Sequence, residues 1–298
     1  MSIIRLQTSG STLDIAPELG GSIVNFHINI NGELRPIIRQ VNNPKSALDC
    51  GSFPLVPFSN RIRNGKFIWN NREIQLPVNM PPIPHTIHGS GWQQPWQVVA
   101  QSDTTLSIEY QNQCPHWPFD FVATQIFELE DHTLTVRSTL KNLSDETMPA
   151  GSGAHPYFTR TPKTKVTCDL PQMWAVDDQC LPTDITPSVF AASENNTINI
   201  NDHVLDNVFM NVNAETSAPA LIVWPEWQIQ AALRASDNCR FMVIYSPEKE
   251  SFFCLEPVTH CTDAFNRYQA GETDTGIQIL QPQATLKTEM QIAVTSFV

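Results

Sequence analysis

The sequence predicts an all-β protein built as one large antiparallel β-sandwich. Period-two hydrophobic alternation recurs along the chain. The 23 prolines are scattered at a spacing that interrupts long helices. Helix signals are nearly absent. Val24, Phe26, Ile28 and Ile30 alternate with polar residues, and Asn31-Gly32 follows as a hairpin turn signal. Leu106, Ile108 and Tyr110 alternate in the same way, as do Leu134 and Val136 in HTLTVRSTL. The polar, Asn-rich stretch 195–213 reads as a surface excursion. Residues 241–245 and 252–255 are short apolar runs bounded by proline and charge, the pattern of buried strands. Residues 291–298 end the chain in alternation again.

Length and composition narrow the function classes. The chain has 298 residues and 41% hydrophobic content, enough for one domain over residues 1–298 with a sizeable core. Charged residues are 16% of the total, the formal net charge is −12, and no basic block is present. Nucleic acid is therefore not an expected partner. MSIIRLQTSG lacks the apolar core of a signal peptide, and no run reaches the roughly 18 apolar residues of a membrane helix. The seven cysteines form no C-x-x-C pair, which fits reduced thiols, no structural zinc and a cytoplasmic location.

Five stretches carry chemistry. In SGAHPYFTR, small residues lead to His155, and the following proline predicts an extended backbone there. Small neighbours allow another group close approach, so the histidine reads as a side chain aimed at something. In FCLEPVTHCTDAFN, Glu256 ends an apolar run. It is either a strand-end carboxylate facing water or an acid–base group whose proton affinity is raised by burial. In PPIPHTIHGSGWQQPW, His85 and His88 suggest metal ligands, but the prolines oppose a helix that would align them and no zincin glutamate follows. His88-Gly89 instead suits a turn pointing the imidazole into a cleft, and Trp92 and Trp96 read as core. In PLVPFSNRIRNGKF, Asn60 and Arg61 are either a solvated loop pair or holders of hydroxyls, Arg61 with its fork of donors. Asp206 in VLDNVFMN sits between apolar residues, where a carboxylate needs partners, either structural or a sugar hydroxyl.

Taken together and in order, N-R-I, H-G, H-P-Y-F, an Asp, and L-E-P leading to D-A-F-N resemble the aldose 1-epimerases, also called galactose mutarotases. The resemblance runs from about residue 20 to the end. It implies the family's galactose mutarotase-like supersandwich with a cleft on one sheet. It also implies that His155 is the general acid, that Glu256 is the general base, and that Arg61, His88 and Asp206 bind the sugar, beside Asn60. Two positions depart from the pattern. Val243 stands where some members have glutamine, and Ser90 replaces a second glycine after H-G.

The implied reaction interconverts anomers of a free hexose by opening and closing the ring. It needs a base, an acid and hydroxyl holders, so no cofactor and no metal are expected. The expected partner is a small aldose, with no membrane, and the assembly a monomer or homodimer. A hexose-6-phosphate 1-epimerase would need arginines at the cleft mouth, and only Arg61 and Arg63 cluster near a motif. A carbohydrate-binding sandwich without activity would have no need of His155 and Glu256 together.

Overall fold

The alternation resolves into two large antiparallel sheets in the computed structural model, which describes residues 2–211 and 219–297. A nine-stranded sheet runs, in spatial order, Gln97–Gln101, Thr105–Gln111, Phe121–Glu130, Thr133–Asn142, Thr285–Ser296, Ile229–Ala235, Ala220–Trp224, Lys165–Cys168 and Thr197–Asn199. An eight-stranded sheet runs Pro182–Pro187, Gln172–Val176, Leu205–Met210, Phe241–Ser246, Phe252–Val258, Gly153–Ala154 and Pro54–Leu55, and Tyr157–Thr159 also pairs with Phe252–Val258. A four-stranded meander precedes both, Ile4–Gln7, Ser11–Ala16, Ser22–Ile30 and Glu33–Pro36. Among the described residues the only α-helix is the short Ala264–Gln269, and no helix is long and apolar enough to cross a membrane.

The two sheets share a core because each strand sends alternate side chains inward. Phe121, Phe127, Leu134 and Ile292 of the nine-stranded sheet meet Phe209, Ile244, Phe253 and Leu255 of the eight-stranded one in a single buried cluster. Each such side chain contributes roughly 1.5–3 kcal/mol by leaving water. Truncating fully buried Phe253 to alanine is the change that most directly opens this core, at a cost of about 3–5 kcal/mol.

One expectation fails here. The stretch 195–213 is not simply a surface excursion: Thr197–Asn199 closes one edge of the nine-stranded sheet, and Leu205–Met210 lies inside the eight-stranded sheet, paired with Phe241–Ser246. Its asparagines mask buried apolar positions at Ile198, Leu205, Val208 and Phe209. Residues 212 and 213 lie outside the described residues.

Candidate active site

The same alternation that fills the core turns a second set of side chains to the outer face of the eight-stranded sheet. On Leu205–Met210 this set includes Asp206 and Val208; on Phe241–Ser246, Val243 and Tyr245; on Phe252–Val258, Cys254 and Glu256. The register aligns them in rows across the strands: Val208, Val243 and Glu256 in one, Asp206, Tyr245, Cys254 and Tyr157 in the next. Loops cover this face to form a cleft of about 340 Å³. Its lining includes Asn60, Arg61, His88, His155, Asp206 and Glu256, so all six site residues named from the sequence converge.

Glu256 does not end a strand facing water. It lies within Phe252–Val258 and is 1% exposed. The pairing that continues beyond it, Gly153 against Val258, keeps the strand intact past the proline.

His155 sits between Gly153–Ala154 and Tyr157–Thr159, and its backbone N–H donates to Phe53 O at 3.0 Å. Its ring stacks on Tyr157 (4.6 Å, 18°) and packs against Phe53 (4.5 Å). The small residues before it serve close approach. A Cβ on Gly151 would fall 1.9 Å from the His260 ring, and one on Gly153 would fall 2.6 Å from Pro257 O. Gly153 lets the His155 segment press against the strand that carries Glu256, and Gly151 lets it approach the His260 ring just beyond that strand.

The result is His155 Nε2 at 3.2 Å from Glu256 Oε1. Burial pushes the Glu256 carboxyl well above its usual range, with Asp206 raising it further and Arg61 opposing. Burial likewise pushes the His155 imidazolium well down, helped by the charge of Arg39. Both directions describe a pair held without net charge, in which one proton lies between a carboxyl and an imidazole.

The neighbouring polar groups are fixed by each other. Arg61 Nη2 donates to Asp206 Oδ2 at 3.0 Å, and Nη1 donates to Asn60 Oδ1 at 3.1 Å. The His88 N–H donates to Asn60 O, and the Asn60 N–H donates back to His88 Nδ1 at 3.1 Å. Asn60 and His88 both hold left-handed backbones, φ 57° and 63°, so this reciprocal pair maintains a conformation costing about 1–2 kcal/mol per residue. Burial drives the His88 proton affinity far down, and an occupied Nδ1 leaves the proton on Nε2. His88 is therefore a neutral donor in the cleft wall.

The D-A-F-N stretch braces this loop from behind. Asp263 Oδ1 accepts the Arg63 N–H at 2.9 Å, the Asp263 N–H donates to Arg61 O, and Asn266 Nδ2 donates to Asp263 Oδ1 and Lys66 O. His260 adds a second brace, with Nε2 accepting the Ser59 N–H. His85 does not line the cleft; its Nδ1 accepts the Asn64 N–H. Trp92 and Trp96 are buried in the core as expected, their indole N–H groups on backbone carbonyls.

The sequence reading left Arg39, Cys254 and Tyr157 without roles. Arg39 lines the cleft, lies 3.8 Å above the Tyr157 ring, and donates to Cys50 O and Leu48 O. Tyr157 is thereby layered between Arg39 and His155. No local pattern around Arg39 signals this. Cys254 was legible, because two residues before Glu256 on a strand is the same face.

Comparison with known proteins bears on the family and the fold. The family model described as Aldose 1-epimerase matches residues 2–293. The uncharacterized protein YphB of Escherichia coli (strain K12) is 29% identical over 99% of both chains. A crystal structure from Escherichia coli K12 superposes with a TM-score of 0.88 at 27% identity, covering 99% of each chain. A galactose mutarotase-like protein from Clostridium acetobutylicum superposes at 0.84 with 20% identity, over 99% of this chain and 95% of that one. The antiparallel sandwich is thus a galactose mutarotase-like fold, and the chain belongs to the aldose 1-epimerase family.

Proposed function

We propose that the protein interconverts the α and β anomers of a free hexose, with Glu256 as base and His155 as acid. The observation that carries this reading is the 3.2 Å His155–Glu256 contact inside a cleft that also presents Asn60, Arg61, His88 and Asp206 among apolar and aromatic side chains. The cleft's size suits a small ligand, at the lower end of the usual range of roughly 300–1,000 Å³.

In the closed ring, Glu256 takes the proton from the C1 hydroxyl while His155 gives one to the ring oxygen. The C1–O5 bond breaks and an open-chain aldehyde forms. The pair then holds a protonated carboxyl and a neutral imidazole. Rotation about C1–C2 presents the other face of the aldehyde. The C5 hydroxyl attacks as its proton passes to His155, and Glu256 returns a proton to O1. Protons balance, and no group outside the pair is consumed. Burial keeps the resting pair uncharged, so the reacting form is the one in which the shared proton has moved from the Glu256 carboxyl to the His155 imidazole, ready for ring opening. Arg61, His88, Asp206 and Asn60 hold hydroxyls so that O1 and O5 face the two groups together.

A second reading, a hexose 6-phosphate, has one observation in its favour: Arg39 also lines the cleft. Its guanidinium, however, donates to Cys50 O and Leu48 O and lies on Tyr157, while Arg61 is engaged by Asp206. The free sugar fits these engagements better. Polarimetry of freshly dissolved α-glucose, α-galactose and glucose 6-phosphate, with and without protein, decides between them. No acceleration on any sugar overturns the proposal, and a clear preference for the phosphate replaces it with the second reading.

A further inference from the structure

We infer that the floor of the cleft is also a site for a soft divalent cation such as zinc, held by His155, Cys254 and Glu256, and that its occupation switches the enzyme off. The inhibition rests on the proposed epimerase reading; the binding does not. One imidazole nitrogen, the Cys254 sulfur and one Glu256 oxygen all lie within 4.8 Å of one another. Among the described residues this is the one group of three or more His, Cys, Asp or Glu side chains so placed.

The strand produces the cluster. Cys254 and Glu256 are two residues apart in Phe252–Val258 and face the same side, while Tyr157, in register with Cys254, brings in the chain that carries His155. Each residue is at most 6% exposed, yet His155 and Glu256 line the open cleft, which gives an ion a path to them. Two further polar atoms there, Glu256 Oε2 and His155 Nδ1, are buried without a hydrogen-bond partner. Such orphans are uncommon in a folded protein and leave coordinating capacity unspent.

The geometry needs little change. Zinc bonds of about 2.0–2.2 Å to nitrogen and oxygen and about 2.3 Å to sulfur set tetrahedral ligand atoms roughly 3.3–3.6 Å apart. The 3.2 Å between His155 and Glu256 is already close to that spacing, and the sulfur needs to approach by at most about 1.2–1.5 Å, given the 4.8 Å bound. One thiolate, one carboxylate and one imidazole favour zinc, cobalt or copper over magnesium or calcium. Two anions neutralise the divalent charge, so the filled site carries no net charge in a low-dielectric floor. Three protein ligands leave a fourth position toward the cleft for water. An ion there occupies the base and the acid at once.

Cobalt(II) titration of the metal-free protein tests binding directly. One equivalent is expected to raise a thiolate-to-cobalt charge-transfer band in the wild type, lost on adding zinc and absent from Cys254→Ala and from the similarly sized Cys254→Ser. In polarimetry, zinc is expected to slow the wild type, EDTA to restore it, and both variants to keep the basal rate while needing at least tenfold more zinc. The variants' melting temperatures show that they are folded. A wild-type protein with no band, a band that persists in both folded variants, or equal zinc sensitivity of all three proteins overturns the inference. A metal-free protein that shows the band but accelerates no sugar sinks the epimerase reading and leaves the site standing.

Discussion

Val243 stands directly opposite Glu256 in the ladder between Phe241–Ser246 and Phe252–Val258, so the two side chains share the cleft face. Opposed residues in such a pair have Cβ atoms about 4.5–5.5 Å apart. The proposed base therefore lies beside an apolar side chain, at the position where the resemblance to the family implies a glutamine in some members. Val243→Gln is expected to keep the acid–base pair and change sugar choice. A new hydrogen bond is worth about 0.5–1.5 kcal/mol, which corresponds to a galactose-to-glucose ratio of kcat/KM raised by roughly two- to thirteenfold. An unchanged ratio in a folded variant removes Val243 from the specificity determinants.

Glu256→Gln is expected to lower the rate by at least about 10²-fold while the protein becomes more stable at neutral pH. A carboxyl whose folded proton affinity is raised keeps its proton in the fold while the unfolded chain ionises. Wild-type stability from this group is therefore complete below about pH 4.5 and declines as pH rises through that value. Glutamine has no such loss. The melting temperature of the variant should exceed that of the wild type at pH 7.5, and the gap should close toward pH 4.5. More than about a tenth of the wild-type rate in the variant refutes the base assignment.

Three buried histidines, His88, His155 and His260, have proton affinities lowered by burial, that of His260 to about 4. The sign is opposite to that of Glu256. Each stays neutral in the fold while the unfolded chain takes a proton below about pH 6.5, so stability falls as pH falls. Each fully uncoupled group contributes a slope of about 1.4 kcal/mol per pH unit. Three histidines outweigh the single gain from Glu256. Urea unfolding at pH 7, 6 and 5 should show a steep net loss, and a flat profile would mean these rings take up protons within the fold.

The fold and much of the cleft were legible for the same reason: alternation both builds strands and assigns faces. Ser22–Ile30, Thr105–Gln111 and Thr133–Asn142 follow it closely. It failed at Leu205–Met210, where Asp206 and Asn207 on a largely buried strand gave the polarity of a loop. It cannot reach contacts between distant segments, so Arg39 over Tyr157 left no trace. Nor could spacing show that Asp263 is a brace, because its partner amide is that of Arg63, 200 positions away.

That brace is testable. Asp263→Ala leaves the Arg63 N–H without its acceptor and frees the segment carrying Arg61. A cost of about 0.5–1.5 kcal/mol in stability is expected from losing this partly buried hydrogen bond. KM should rise as Arg61 loses its position. Asp263→Asn retains an oxygen at the same place and should recover most of both losses. Full recovery of stability without recovery of KM would separate the brace from the site.

Arg61 and Asp206, 3.0 Å apart, act on Glu256 with opposite signs. Burial is the main cause of the raised Glu256 proton affinity; the Asp206 charge adds to it and the Arg61 charge subtracts. Both residues are also proposed to hold sugar hydroxyls, so Arg61→Ala and Asp206→Asn should each slow the reaction, by up to about 10²-fold for a displaced ring. A purely structural pair would produce similar losses of stability from either variant and no change in kinetics per folded molecule. The pH profile distinguishes the readings. Removing the Asp206 charge lets Glu256 ionise more easily, so the acidic limb of kcat/KM should move to lower pH. Removing the Arg61 charge has the reverse effect and should move that limb to higher pH. Polarimetric profiles of both variants on free glucose, recorded beside the wild type and alongside their melting curves, measure the two shifts. Shifts in one common direction, or none in well-folded variants, would show that neither residue acts on Glu256 through its charge.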